Sequence, residues 1–266
     1  MGSYDSWYLR AVHPYEQIGV WIRHTYRESE ASGVRGAHWF TLFTPQGIVA
    51  QKASFPGKPA VAADRFAGEA GSFRWDLSVE CLAPSFEHLP AHFMYSLPWP
   101  RTKPISVCPL AEINGEIAVG GRSIAVCGWR GMVGHNWGAE HAHCWIWIHA
   151  AGFDGEPDSW LDVTLAKLRV GSVITPWLGN GAIHLAGERH RLGGLFRRAT
   201  VEADVEGAAI GLSGKDVAVR INVSSPDPAA TVVWRYCGPD GAEHFVSNCS
   251  IAVSRSASPA KPAQRC

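Results

Sequence analysis

Apolar and polar residues alternate with a period of two along much of this chain. In Ser72–Cys81 (SFRWDLSVEC), Phe73, Trp75, Leu77 and Val79 are offset from Arg74, Asp76, Ser78 and Glu80. Successive side chains of a strand point to opposite faces, so this segment predicts a strand with one apolar and one polar wall. Ile18–Tyr26, His38–Thr44 and Ile48–Phe55 are β-branched and aromatic runs separated by turn residues, and they read as an antiparallel meander. Ala118–Gly120 and Ser123–Cys127 flank a Gly-Gly-Arg turn, the best hairpin signal in the chain. Ser159–Val170 sets Trp160, Asp162, Thr164 and Ala166 opposite Leu161, Val163, Leu165 and Lys167. The segments Ala182–Ala186, Ala199–Val205, Val217–Val223, Thr231–Tyr236 and His244–Val253 complete the series. Leu97–Pro109, with four prolines in 13 residues, predicts a connector or a cover because proline cannot continue a central strand. Short strands without a convincing amphipathic helix predict an all-β sandwich or barrel.

One stretch concentrates unusual side chains. Val126–Ala150 holds four histidines, four tryptophans and one carboxylate, Glu140. Read with period two, His141, His143, Trp145, Trp147 and His149 share one strand face, and Ala142, Cys144, Ile146, Ile148 and Ala150 share the other. The small and aliphatic set suits burial against the strand's own core. Imidazoles and indoles need hydrogen-bond partners, so their face suits the wall of a ligand cavity. A satisfied core or a subunit interface is the plainer alternative.

At 266 residues the chain can hold one large β unit or two ordinary ones. Two β domains in tandem are expected, 1–128 and 129–253, followed by a polar Pro/Ala/Ser tail, 254–266, expected to be disordered. Apolar residues make up 46% and charged ones 18%, which is a globular composition. Lys plus Arg equals Asp plus Glu at 24 each, and this balance argues against a nucleic-acid partner. The opening residues lack a basic leader or apolar run, and no stretch approaches a membrane span, so a soluble cytoplasmic protein is expected. Seven scattered cysteines with no CxxC pair oppose a disulfide framework and a zinc ribbon, and Cys144, alternating with Ile146, reads as a small core residue.

His141 and His143 at i, i+2 on a strand face are spaced to supply two metal ligands. A third at conventional spacing is missing, with only His135 or Asp162 to supply it in space, and no metal is expected. Acid/base chemistry fits better. A carboxylic acid beside tryptophan is desolvated and becomes a proton donor near neutral pH. Glu140 and Asp162 are the candidates, with His135, His141, His143 and His149 as proton partners, although a structural hydrogen bond explains any single histidine equally well. Such a face protonates an alkene or epoxide, and indole faces stabilise the carbocation that develops. A GxSxG elbow is absent, and Cys249 and His244 at i, i+5 point apart on a strand, which leaves no nucleophile.

Gly134-His135-Asn136-Trp137-Gly138, followed by Trp145-Ile146-Trp147, resembles a signature of a superfamily of tandem lipocalin-like proteins. That group includes carotenoid 1,2-hydratases (hydroxyneurosporene synthases), tocopherol cyclases, AttH-like proteins and certain Diels–Alderases. The phrase reads Asp-His-Gln-Trp-Gly in the hydratases and Glu-Lys-Asn-Trp-Gly in the cyclases. Trp7-Tyr8-Leu9-Arg10 and Trp21-Ile22-Arg23 look like AttH-like openings, and Asp240-Gly241-Ala242-Glu243-His244 looks like the acidic element near the end of the second domain. The resemblance implies two antiparallel lipocalin-like barrels or sandwiches and an isoprenoid or polyketide-like ligand. It also implies hydration, cyclisation or pericyclic ring closure without an organic cofactor. Asn136, Trp137, Trp145, Trp147, His149 and Trp160 are the expected ligand contacts. Gly134 stands where the family phrase has its acid, so that carboxylate does not carry over. The expected function is a hydratase- or cyclase-type enzyme acting on a hydrophobic small molecule, as a monomer or homodimer. A non-catalytic carrier of an apolar ligand and a protein-interaction β domain are the alternatives.

Overall fold

The fold was obtained as a computed structural model, which describes residues 2–29, 33–203, 207–224 and 230–257. Nine strands come first: β1 (Ser3–Val12), β2 (Gly19–Ser29), β3 (Gly33–Thr44), β4 (Gly47–Pro56), β5 (Arg65–Ala70), β6 (Phe73–Cys81), β7 (Phe86–Glu87), β8 (Thr102–Val119) and β9 (Arg122–Gly138). They pair antiparallel in the order β4-β3-β2-β1-β9-β8-β6-β5, with β7 on β8. At the far edge β5 returns against β3 and β4, so the sheet curls into a nearly closed barrel. Its interior is filled by Leu9, Ile22, Phe40, Phe66, Trp75, Leu77, Trp129 and Val133. Burying each such side chain contributes about 1.5–3 kcal/mol. The alternation read in Ser72–Cys81 is realised in β6, where Trp75, Leu77 and Val79 are buried and Arg74, Asp76, Ser78 and Glu80 exposed.

The remaining strands are β10 (Cys144–Phe153), β11 (Glu156–Lys167), β12 (Arg169–Val170), β13 (Val173–Ile174), β14 (Leu178–Leu185), β15 (Glu188–Arg198), β16 (Thr200–Ala203), β17 (Gly207–Ser213), β18 (Ala218–Ser224), β19 (Val232–Cys237), β20 (Glu243–Asn248) and β21 (Val253–Ala257). Sheet β10-β11-β14-β15 and sheet β16-β17-β18-β21 share a core of Ile148, Leu161, Val163, Leu165, Leu192, Ile210, Leu212 and Ile221. This is a sandwich built from facing apolar walls. The one described helix is a 3-10 turn, His92–Tyr95. All-β architecture is therefore what the chain adopts.

The chain divides into two compact units. The first contains the described parts of Met1–Phe86, Pro98–His141 and Ala229–Ile251; the second those of Glu87–Leu97, Ala142–Pro228 and Ala252–Cys266. The expected cut at 128/129 falls inside β9, a strand continuous from Arg122 to Gly138 and paired along its length with β8. Hairpin β19–β20 belongs to the first unit, where it covers the outer face of β1–β3. Trp234 packs on Trp21 and Trp39 at 6.4 and 5.2 Å between ring centres, and its Nε1 donates to Thr41 Oγ1 at 3.2 Å. That cover explains why β2 is buried on both faces over Gly19–His24.

Four further expectations need correction. The proline-rich passage is a connector only up to Arg101; β8 then runs through Pro104, which stays in register opposite Asn136, and through Pro109, where register shifts between Ser106 and Ala111 relieve the ladder at a residue that lacks its N–H. Cys144 is exposed at the start of edge strand β10, not in the core. Cys81 and Cys108 form a disulfide between β6 and β8, with their Cα atoms 5.5 Å apart. Of the expected tail, Val253–Ala257 pairs with β18, and 258–266 lie outside the described residues.

Candidate functional site

Strands β1 and β9 pair with Trp7 opposite His135 and Asp5 opposite Trp137. Leu9 and Val133, one pleat along, lie in the barrel core, so these four side chains share the inward face. His135 Nε2 lies 3.1 Å from Asp5 Oδ2. The imidazole is stacked between Trp7 (4.3 Å between centres, planes 18° apart) and Trp137 (4.6 Å, 20°). Both partners keep limited access to water, the side chains being 18% and 22% exposed. A carboxylate bonded to one ring nitrogen fixes the ring's orientation, while flanking indole faces attract cations. The arrangement can hold and pass a proton within an aromatic lining.

Farther along the same inward face, Trp75 Nε1 donates to His24 Nε2 at 3.3 Å, and His38 lies 4.4 Å from His24 between ring centres. Burial, reinforced by His38, pushes His24 down to about 3. It is therefore a neutral acceptor toward the indole.

The outer face of the same sheet gathers a second group. Arg23 is 6% exposed, its Nε donates to Ser6 Oγ at 2.5 Å, and its guanidinium lies over the Tyr236 ring at 4.3 Å. Tyr4 Oη and Thr102 Oγ1 are hydrogen-bonded at 2.6 Å, and the Tyr4 ring lies 4.2 Å from that of His141. Burial raises Tyr4 to about 12 and, with the Arg23 charge adding, lowers His141 to about 3. Gly134 has a steric reason here, since any Cβ would overlap the Tyr8 ring.

In the second unit, β10 and β11 pair His149 with Asp162 and Trp147 with Thr164. Asp162 is fully buried; Trp147 Nε1 donates to its Oδ1 at 2.9 Å, and His88 Nε2 lies 3.7 Å from Oδ2. His88 arrives on the 87–97 segment, which is held by Arg191. One guanidinium nitrogen, Nη2, donates to the carbonyls of Glu87, His88 and Leu89 at 3.0, 3.2 and 2.6 Å. Ile148, Leu161, Val163 and Leu165 occupy the opposite faces, in the sandwich core. The two-faced reading of Trp145–His149 therefore holds, but its His/Trp side faces away from that core and lies under the 87–97 segment.

Nine of the expected site residues thus separate into three places, and two, His143 and Glu140, lie outside all of them. His135 and Trp137 meet inside the barrel. Asn136 and His141 lie on its outer face, Asn136 directly across from Ser6. Trp145, Trp147, His149, Trp160 and Asp162 line the wall of the second unit, where Trp160 is 1% exposed and stacks on His184 at 6.1 Å. His141 and His143 do not share a strand face, because β10 begins only at Cys144. His143 is exposed and within 3.2 Å of Arg169. Glu140 is not a desolvated acid: its side chain is 31% exposed and accepts from Arg101 at 2.9 Å. Among the described residues, no three His, Cys, Asp or Glu side chains converge as metal ligands, and no helix is long and apolar enough to cross a membrane. Asp5, Arg23 and His88 escaped sequence reasoning; each is brought to its partner by pairing or packing over many residues, and no local pattern marks it.

Comparison with known proteins supplies a fold and little more. No family model matches the chain. Two uncharacterized proteins of Mycobacterium tuberculosis, from strains CDC 1551 / Oshkosh and ATCC 25618 / H37Rv, are each 29% identical over 174 residues, covering 58% of this chain and 51% of the relative. The chain therefore spans about half the length of the curated relatives it matches. Among solved structures, kievitone hydratase from Nectria haematococca aligns over 86% of this chain and 78% of its own, with a TM-score of 0.52 and 11% identity. At that identity the likeness is one of fold: an all-β, lipocalin-like architecture.

Proposed function

We propose that the chain is an enzyme that adds water to, or cyclises or isomerises, an apolar unsaturated small molecule by proton transfer inside the barrel of the first unit. The observation that carries this reading is the Asp5–His135 pair held between Trp7 and Trp137. The imidazole, oriented by the carboxylate, donates its proton to one alkene carbon. The indole faces stabilise the cation on the other carbon. Water adds there, and the proton it loses returns to the pair, so the net change is addition of one water. Loss of a neighbouring C–H proton instead gives the isomer, and capture by a second double bond closes a ring and moves the cation, which then loses a C–H proton to the pair. Asp5, reaching across from β1, does the work of the acid that the family phrase places at the position of Gly134. The resemblance around His135–Trp147 supports an isoprenoid or polyketide-like substrate, and the hydratase among the fold neighbours makes water addition the first reaction to test. On this reading Asp162 and His149 shape the second unit, and the reaction does not depend on them.

The test is incubation with prenylated phenols and linear terpenes in deuterium oxide, followed by mass spectrometry. Solvent deuterium should enter the product carbon skeleton with the intact protein. Asp5→Asn and His135→Gln should each cut turnover by about 10²–10⁴-fold, the usual contribution of general acid–base catalysis. Full turnover in both variants, or tryptophan quenching by these ligands with no product, overturns it.

A further inference from the structure

Arg23 carries a charge that its surroundings do not answer. It is 6% exposed on the outer face of β2, yet among the described residues no carboxylate oxygen comes within 4.0 Å of it. Its neighbours are neutral: the Ser6 hydroxyl, Tyr236, which is hydrogen-bonded to it and also lies under it as a ring, and, at 5.8 Å, the Trp39 ring. Burial keeps Tyr4 and Tyr236 protonated and His141 unprotonated at neutral pH, so none of these supplies a counter-charge. Lys52, its Nζ 3.7 Å above the Trp39 ring, adds a second cation on the same side. A buried guanidinium without an anion is costly, and folds keep one where something else completes it. The second observation lies beside it. Ser6 sits between Arg23 and Asn136, and the Asn136 Oδ1 atom is buried with no hydrogen-bond partner among the described residues. A cation without an anion and an amide oxygen without a donor, both judged among the described residues, flank one hydroxyl among tryptophan and tyrosine rings.

We propose that this outer face of the first unit, beneath hairpin β19–β20, is a binding site for an apolar organic carboxylate. Arg23 receives the carboxylate, Asn136 hydrogen-bonds a polar group near it, and the rings of Trp39 and Tyr236 take the apolar body. The guanidinium's planar fork matches a carboxylate, and the rings already stacked on it favour an aromatic or isoprenoid chain over a small inorganic anion. The site lies on the face of the sheet opposite Asp5 and His135, so it is separate from the proposed reaction centre.

The test compares matched ligands by quenching of tryptophan fluorescence in the full-length protein. 1-Naphthoate and geranate are the anions; 1-naphthylmethanol and geraniol are their neutral counterparts. Each anion should bind at least about tenfold more tightly than its alcohol. Arg23→Met should abolish that preference, Asn136→Leu should weaken both anions, and Asp5→Asn should leave the preference unchanged. Equal affinity for anions and alcohols, no binding of either anion up to about 1 mM, or an unchanged preference in Arg23→Met overturns the proposal. If Arg23→Met does not fold, Asn136→Leu together with the wild-type preference decides it. Because Asp5→Asn disables only the proposed reaction, loss of turnover and loss of anion preference report separately.

Discussion

His24 illustrates what burial does to a single group. It is 2% exposed, accepts from Trp75 and is pushed down to about 3. Below pH 6.5 the unfolded chain takes up a proton there that the folded chain refuses until about pH 3. Stability should therefore fall with pH across that window, by about 1.4 kcal/mol per unit, and be unaffected by this residue above it. Denaturant titrations at several pH values should show a shallower loss in His24→Gln than in the unmodified protein. Parallel curves for the two would remove His24 from the account. Gly134 is the second residue with a defined expectation: Gly134→Ala forces the Tyr8 ring aside and should destabilise by about 1–3 kcal/mol, read as a lowered denaturation midpoint. Residue types were easier to read in the chain than their partners. His135 stood out in its phrase, but Asp5, 130 residues away, was invisible because antiparallel pairing of β1 with β9 is what joins them. Glu140 looked like the acid because sequence shows a neighbouring tryptophan and hides Arg101.

Elements obey the periodic pattern where one face is wet and mislead where both are dry. β6 follows the alternation position by position, whereas β2 is buried on both sides because hairpin β19–β20 lies over it. The His/Trp run reads as one strand in the sequence, but the 139–143 stretch is not part of a strand, and His141 and His149 fall in different units. No local pattern announced that break. The 87–97 segment gives the element-scale prediction. Three carbonyls on one guanidinium nitrogen anchor it, and Arg191 is partly exposed, which discounts their worth. Arg191→Ala should lower stability by about 1–3 kcal/mol and raise amide exchange in 87–97 before the β10–β11 pair is affected. Arg191→Lys, with a single ammonium, should recover only part of that protection. Uniform exchange changes across both sheets would show that the segment does not open by itself.

At the scale of the molecule, fold class was readable because repeated short strands leave few alternatives, while the division of the chain was not. The chain passes between the units at 86/87, 97/98, 141/142 and 251/252, and once more between Ser224 and Ala230, and sequence carries no mark of such interleaving. The first unit is incomplete without residues that follow most of the second. A truncated chain ending at His141 should therefore expose Trp21, Trp39 and Phe43, which are 3%, 5% and 0% exposed in the full chain. It should bind a hydrophobic dye and lack a cooperative thermal transition; a sharp transition with no dye binding would contradict the assignment of the hairpin. Hairpin β19–β20 also has a history in time. β9 ends at residue 138 and β20 ends at 248, so 110 further residues must be translated before the hairpin can cover the barrel's outer face. At roughly 5–20 residues per second, that face stays wet for about 5–20 s on the ribosome, long enough for a nascent-chain chaperone to find it.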